Sequence, residues 1–179
     1  MSMGLDSARL RAFTGGMGIE NYRESLDALH LLIGNSSDSV PWGAARESAP
    51  DWQRGVITRL HALTIHDDIR YLSSAKLDTG DWDFIAFTPD RVVRVLLTNA
   101  NGDAVRFETV TFPRSSLQSL ELLDVENIPD GDEPWPVDVN LIGHYLMGSV
   151  PLPLDRFASD SNKHDLSQLL QSLLEDVAA

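Results

Sequence analysis

The chain has 179 residues, of which 14 are basic and 27 acidic, so its formal charge is −13. A chain of this length can bury a full core as one domain, without metal ions or disulfides to support it. The absence of cysteine excludes a disulfide framework, thiolate metal sites and thiol catalysis. A net negative field repels phosphate backbones, so nucleic-acid binding is not expected.

The negative charge is concentrated in the last third of the chain. Residues 116–179 hold two basic and twelve acidic side chains, a net charge of −10. Such a surface aids solubility, and it also suits a basic protein partner, so both interpretations stay open. No apolar stretch approaches the about 20 residues that a membrane helix needs, and no secretory signal is recognisable. We therefore expect a cytoplasmic protein without membrane insertion.

The first predicted element is a helix after residues 1–18, which mix small and polar side chains and are expected to form a flexible N-terminus. Its apolar side chains recur at spacings of three and four, and they are Ile19, Tyr22, Leu26, Leu29 and Ile33. This stripe either folds back on the chain's own sheet or pairs with the same helix of a second copy. We take it as the candidate self-association face and expect a homo-oligomer.

Residues 35–50 contain four Ser and two Pro and predict a linker. The next segment, 51–65, is ambiguous, because its apolar residues have helical spacing while Val56, Ile57 and Thr58 are β-branched. We predict a helix there. Residues 19–64 would then form a helical extension with its linker.

From residue 69 onward the hydrophobic pattern changes to period two, which predicts short antiparallel strands joined by tight turns. The expected strands are 69–77, 82–88, 92–98, 105–112, 117–125, 137–142 and 150–154. Asn101-Gly102 is a strong hairpin signal, and the prolines at 151 and 153 place the last strand on a sheet edge. A closing helix begins near Ser161 or Asn162, with leucines along one broad face.

The predicted fold class is therefore α+β. It consists of a seven-stranded antiparallel bent sheet or barrel closed by the C-terminal helix, preceded by the N-terminal helical extension. The sheet and closing helix would occupy residues 65–179.

Three segments of this region resemble bacterial pleckstrin-homology-like domains. They are Ile65-His-Asp-Asp-Ile-Arg-Tyr, then Asp83-Phe-Ile-Ala-Phe-Thr-Pro-Asp-Arg-Val-Val-Arg-Val, then Val110-Thr-Phe-Pro-Arg-Ser-Ser-Leu-Gln-Ser-Leu-Glu-Leu. The resemblance covers residues 65 to 177 and rests on turn and core positions. It implies a pleckstrin-homology-like sheet with its closing helix, used as a binding or assembly module, usually without catalysis.

The lipid-binding members of that family hold inositol phosphates with basic residues around the loop after the first strand. In this chain the loop carries Asp78, Asp81 and Asp83. Three carboxylates oppose a phosphate ligand, so phosphoinositide binding is not expected. The same residues form a candidate acidic loop site for calcium, although EF-hand spacing is absent and a solvated turn explains them equally well.

No residue pattern predicts catalysis. The histidines lack metalloprotease spacing, no serine lies in a G-x-S-x-G sequence, and Glu121 and Asp124 are not a matched acid–base pair. We assign no catalytic residue, metal or cofactor. The leading hypothesis is a non-enzymatic interaction module that binds a protein, with a basic partner the best match to the charge. The alternative is a helix-grip small-molecule binder or enzyme, with a cavity between sheet and closing helix.

Overall fold

The computed structural model describes residues 19–36, 42, 49–65, 67–100, 102, 104–125 and 138–178. The predicted flexible N-terminus, residues 1–18, lies outside these ranges. The elements in chain order are α1 (Ile19–Gly34), α2 (Asp51–Thr64), β1 (Tyr71–Lys76), β2 (Trp82–Phe87), β3 (Arg91–Thr98), β4 (Arg106–Pro113), β5 (Leu117–Val125), β6 (Val139–Tyr145), β7 (Gly148–Leu152) and α3 (Asp160–Ala178). Among the described helices, none is both long enough and apolar enough to cross a membrane.

The strands form two antiparallel sheets rather than one. The first has the order β1-β2-β3-β4 and the second the order β5-β6-β7. A short 3-10 turn at Arg114–Ser116 separates β4 from β5, and these two strands do not pair. The expectation of one seven-stranded sheet is therefore corrected, because a 3-10 turn after Pro113 directs the chain out of the first sheet instead of reversing it into a hairpin. Within the described residues the two sheets do not close into a barrel.

Strand register defines the inner face of the first sheet. Because side chains alternate between the two faces of a strand, residues paired across neighbouring strands share a face. The inner face carries three rows across β1 to β4, which are Tyr71–Phe87–Val92–Phe112, Ser73–Ile85–Arg94–Val110 and Ala75–Asp83–Leu96–Glu108. The first row is fully apolar apart from one phenol, whereas the other two carry polar and charged groups.

The second sheet and α3 cover the apolar part of this inner face. Tyr71, Phe87 and Val92 share a core with Leu141 and Leu152 of the second sheet. The leucines of α3 that enter the same core are Leu166, Leu169, Leu170 and Leu173. The predicted closing helix is thus present, and it packs against β5, β1 and β6.

A buried asparagine fastens the start of α3 to β1. Asn162 Nδ2 donates to the carbonyl of Leu72, and Asn162 Oδ1 accepts from the hydroxyl of Tyr71 at 3.0 Å. Asn162 is only 4% exposed, so these bonds replace water that the amide has lost. Desolvation by burial raises the pKa of Tyr71, which keeps this donor protonated.

The segment 147–154, which contains β7, lies near the middle row at both of its ends. At one end, the backbone N–H of Leu154 donates to Ser73 Oγ on β1 at 2.9 Å. At the other end, Met147 of the β6–β7 turn lies beside Arg94 of β3 and Val110 of β4.

The outer face of the first sheet is covered by α1 and α2. Leu26, Leu29 and Ile33 of α1 share a second core with α2 and with β1, β2 and β3. The helix predicted over 51–65 is confirmed at Asp51–Thr64, and its β-branched Val56 and Ile57 are buried in that core at 0% and 2% exposure. Tertiary packing thus outweighs their weak helix preference.

Candidate functional site

The three carboxylates of the candidate acidic loop do not converge. Asp78 is exposed, and Asp81 holds the loop together by accepting from Thr79 Oγ1 at 2.8 Å and from the backbone N–H of Asn99 at 2.9 Å. Asp83 instead lies on the inner face of the sheet. The part of the chain that the structure describes holds no group of three His, Cys, Asp or Glu side chains placed to bind a metal ion.

Asp83 forms a two-point ion pair with Arg94. Arg94 Nη2 lies 2.6 Å from Asp83 Oδ2, and Arg94 Nε lies 3.0 Å from Asp83 Oδ1. The Asp83 side chain is 5% exposed and that of Arg94 is 36% exposed. Hydrogen bonding to Asp83 raises the pKa of Arg94, and the nearby charges of Asp83 and Glu108 act in the same direction. Arg94 thus stays charged, and most of that charge is matched by Asp83.

This pair follows from the register of the β2–β3 hairpin. Ile85 pairs with Arg94 and Asp83 with Leu96, so Asp83 and Arg94 are diagonal neighbours on one face. The sequence contains a signal for this arrangement, because the turn at Thr88-Pro89-Asp90-Arg91 sets the hairpin register.

A groove of about 310 Å³ opens beside the ion pair. Its lining combines the inner-face side chains of β3 and β4 with the β6–β7 turn, and comprises Arg94, Leu96, Glu108, Val110, Phe112 and Met147. Leu146 and Met147 in that turn are each 70% exposed. The groove therefore has an apolar wall, one exposed carboxylate at Glu108 and a neutralised guanidinium at its base.

The strand edges differ in how they are covered. The edge of β1 is covered at Leu72, whose backbone carbonyl accepts a hydrogen bond from Asn162 Nδ2. Strand β7 contains Pro151, which has no N–H to offer a further strand. Strands β4 and β5 are also edge strands, and no described strand pairs with their outer sides. An uncovered edge presents a row of free backbone donors and acceptors.

A second cleft of about 430 Å³ lies where α3 meets the 3-10 turn. Arg114, which is 6% exposed, donates to Asp176 from both Nε and Nη2 at 2.9 and 2.6 Å. Its Nη2 also donates to Ser172 Oγ at 2.8 Å. Arg114 therefore anchors the last turns of α3, 62 residues further along the chain.

Three residues of the candidate self-association face on α1 are buried within this chain. Leu26, Leu29 and Ile33 are 8%, 4% and 0% exposed, because they pack on α2 and the outer face of the sheet. Of the two arrangements considered, the structure shows the stripe folded back on its own sheet. The side chains of Ile19 and Tyr22 lie outside the described part of the chain.

Three polar side chains line up on the outward face of the second sheet. His144 Nδ1 lies 2.9 Å from Ser149 Oγ, and His144 Nε2 lies 3.3 Å from Glu121 Oε2. The set arises because His144 pairs with Ser149 in the register of β6 and β7. The Glu121 side chain is 56% exposed, whereas a catalytic triad keeps its carboxylate buried and faces a pocket with oxyanion donors. We therefore interpret this set as a surface hydrogen-bond chain.

No family model and no curated protein matches the chain. Among solved structures, the chain is similar to the crystal structure of a DUF1696 family protein with a pleckstrin-homology domain from Shewanella loihica PV-4. The identity is 12%, the match covers 60% of this chain and 97% of that chain, and the TM-score is 0.33.

Proposed function

We propose that this protein is a non-enzymatic interaction module of the pleckstrin-homology-like type, and that it docks a protein partner at the β4 groove. The groove between β4 and the β6–β7 turn is the observation that carries the proposal. It combines an uncovered strand edge, an apolar wall and two aliphatic side chains at a hairpin tip that are each 70% exposed. Exposed apolar groups next to free backbone groups are typical of docking sites.

The groove offers a gain in free energy that a partner can use. Covering apolar surface contributes about 25 cal/mol per Å², so burial of Leu146 and Met147 would stabilise a complex by a few kcal/mol before the cost of association. Both side chains lie in a tight turn between paired strands, so little further ordering is needed when a partner binds.

The packing of α3 supports this function over a small-molecule binder of the helix-grip type. That alternative needs a cavity between the sheets and the closing helix. Leu166, Leu169 and Leu173 fill this space in the structure, with exposures of 0%, 3% and 0%.

Charge favours a basic partner over a second copy of this chain. Two copies would each carry −13 and would repel each other at moderate ionic strength. A homo-oligomer would need a surface other than the buried part of the α1 stripe.

The test is affinity capture from the native host with a matched pair of surface variants. The docking variant is Leu146→Ser with Met147→Ser, and the control is Leu31→Ser on α1, which is 61% exposed on the opposite side of the first sheet. We expect the wild type and the control to retain the same protein, and the docking variant to lose it. Equal capture by all three proteins would overturn the proposal.

A further inference from the structure

We infer that the partner segment at the β4 groove is an extended basic peptide, which adds to the free edge of β4 and places one Lys or Arg side chain in the groove. The inference rests on the proposed function and names the chemistry of its partner. Three features support the inference: the edge of β4, the lining of the groove and the charge around the groove.

The edge of β4 determines the backbone conformation of the partner. Strand β4 has eight residues, pairs with β3 on one side, and has no described strand on the other. Every second residue of an antiparallel strand directs its N–H and C=O to the same edge, so β4 offers about four such residues to an added strand. A peptide in β conformation would satisfy these groups in a way that a helix cannot.

The lining of the groove determines the side chain that enters it. Leu96, Val110, Phe112 and Met147 provide apolar contacts for an aliphatic stem. Glu108 is an exposed carboxylate at the same site. Lys and Arg combine a long apolar stem with a charged head. The stem would contact the apolar lining of the groove, and the charged head would pair with Glu108.

The positive charge of Arg94 does not prevent a cation from entering. Its guanidinium is bound at two points by Asp83, so this pair contributes no net charge. Arg94, its buried partner Asp83 and Glu108 together carry a net charge of −1, and the whole chain carries −13. A basic segment is therefore attracted at long range and paired locally, whereas an acidic one is repelled.

The experiment uses random nonapeptides displayed on phage and selected on the full chain. The strongest binder is then synthesised, and its affinity is measured by fluorescence anisotropy. We expect enrichment of one Lys or Arg flanked by β-branched residues. The affinity should fall about tenfold or more for Glu108→Lys, because a paired charge is replaced by a repulsive one. The matched control is Glu24→Lys on α1, an exposed site with the same change in net charge, for which we expect a change within about twofold.

N-methylation of the peptide tests the strand geometry. Methyl groups on alternate backbone nitrogens remove the N–H groups of one edge only. We expect one of the two alternating registers to abolish binding and the other to preserve it. A loose electrostatic contact or a helical peptide would not separate the registers in this way.

The inference is overturned if no basic sequence is enriched, if Glu108→Lys and Glu24→Lys have equal effects, or if both registers of N-methylation act alike. These outcomes leave the proposed function intact when capture of the native partner still depends on Leu146 and Met147. Loss of that dependence would instead remove the proposed function itself.

Discussion

Gly55 of α2 and Phe107 of β4 approach so closely that a Cβ atom added at Gly55 would lie 2.5 Å from Cζ of the phenyl ring. Arg59, one helical turn further on, places its guanidinium carbon 3.8 Å from the centroid of the same ring. The ring is therefore held between the helix backbone and a cation. This contact joins the predicted helical extension directly to the sheet.

We expect Gly55→Ala to destabilise the protein by up to about 2 kcal/mol, because overpacking against an aromatic ring costs about 1–3 kcal/mol, which is more than the helix gains. The intrinsic gain of alanine over glycine in a helix is only about 1 kcal/mol. Urea unfolding of the variant measures the difference. In a double-mutant cycle, Phe107→Ala should remove most of the penalty, so the double variant should be more stable than additivity predicts. A more stable Gly55→Ala protein would contradict the close approach.

The protein should lose more stability when Arg94 alone is replaced than when Asp83 and Arg94 are replaced together. Arg94→Met leaves the buried Asp83 carboxylate without its charged partner, and we expect a loss of about 2 kcal/mol. That value lies below the cost for a fully buried pair, because the Arg94 side chain is 36% exposed. The double variant Asp83→Leu with Arg94→Met should be more stable than Arg94→Met alone. Chemical denaturation tests both, and equal stabilities would show that Asp83 is better solvated than its 5% exposure indicates.

The Arg114–Asp176 contact should control the stability of the last turns of α3. Arg114→Gln removes the charged bonds to Asp176, so residues 170–178 should exchange their amide hydrogens about tenfold faster. The start of the helix should keep its protection, since Asn162 still binds β1. Hydrogen exchange followed by mass spectrometry measures both segments. Glu175→Gln is the control, because this exposed neighbour makes no described bond to Arg114.

Stability should depend on pH through His61. Burial lowers the pKa of His61 below its ordinary 6.5, so the unfolded chain takes up a proton at a higher pH than the folded protein does. The free energy of unfolding should therefore decrease as pH falls below 6.5, until the folded-state pKa is reached, and this residue should contribute no change above 6.5. Urea titrations at several pH values measure this dependence. His61→Leu should reduce the slope.

Local sequence patterns predicted the elements but none of the residues that line the groove. The expected strand 82–88 is observed at Trp82–Phe87, and the expected strand 117–125 at Leu117–Val125. Asp83 was singled out for its neighbours in sequence, whereas in the structure its partner is Arg94. Glu108 and Met147 carried no signal, because nothing near them in the sequence indicates that β4 and the β6–β7 turn lie side by side.

The turn residues between β3 and β4 predicted that the two strands pair, but not the length of the connection. Asn101-Gly102 predicted a hairpin between β3 and β4, and these strands do pair, from Thr98 with Arg106 onward. The connection is longer than a two-residue turn, and among its described residues Asn99 has a positive φ of 62°. Asn101 lies outside the described residues.

The sequence by itself determined the order and kind of the elements, because hydrophobic periodicity and turn residues are properties of neighbouring positions. The tertiary structure decided the division into two sheets, the placement of α1 on its own sheet and the exposed groove along β4. These features depend on contacts between distant residues, such as Arg114 with Asp176 and Asn162 with Tyr71. Such contacts form only when whole elements bury their apolar faces together, and no local pattern encodes which faces will meet.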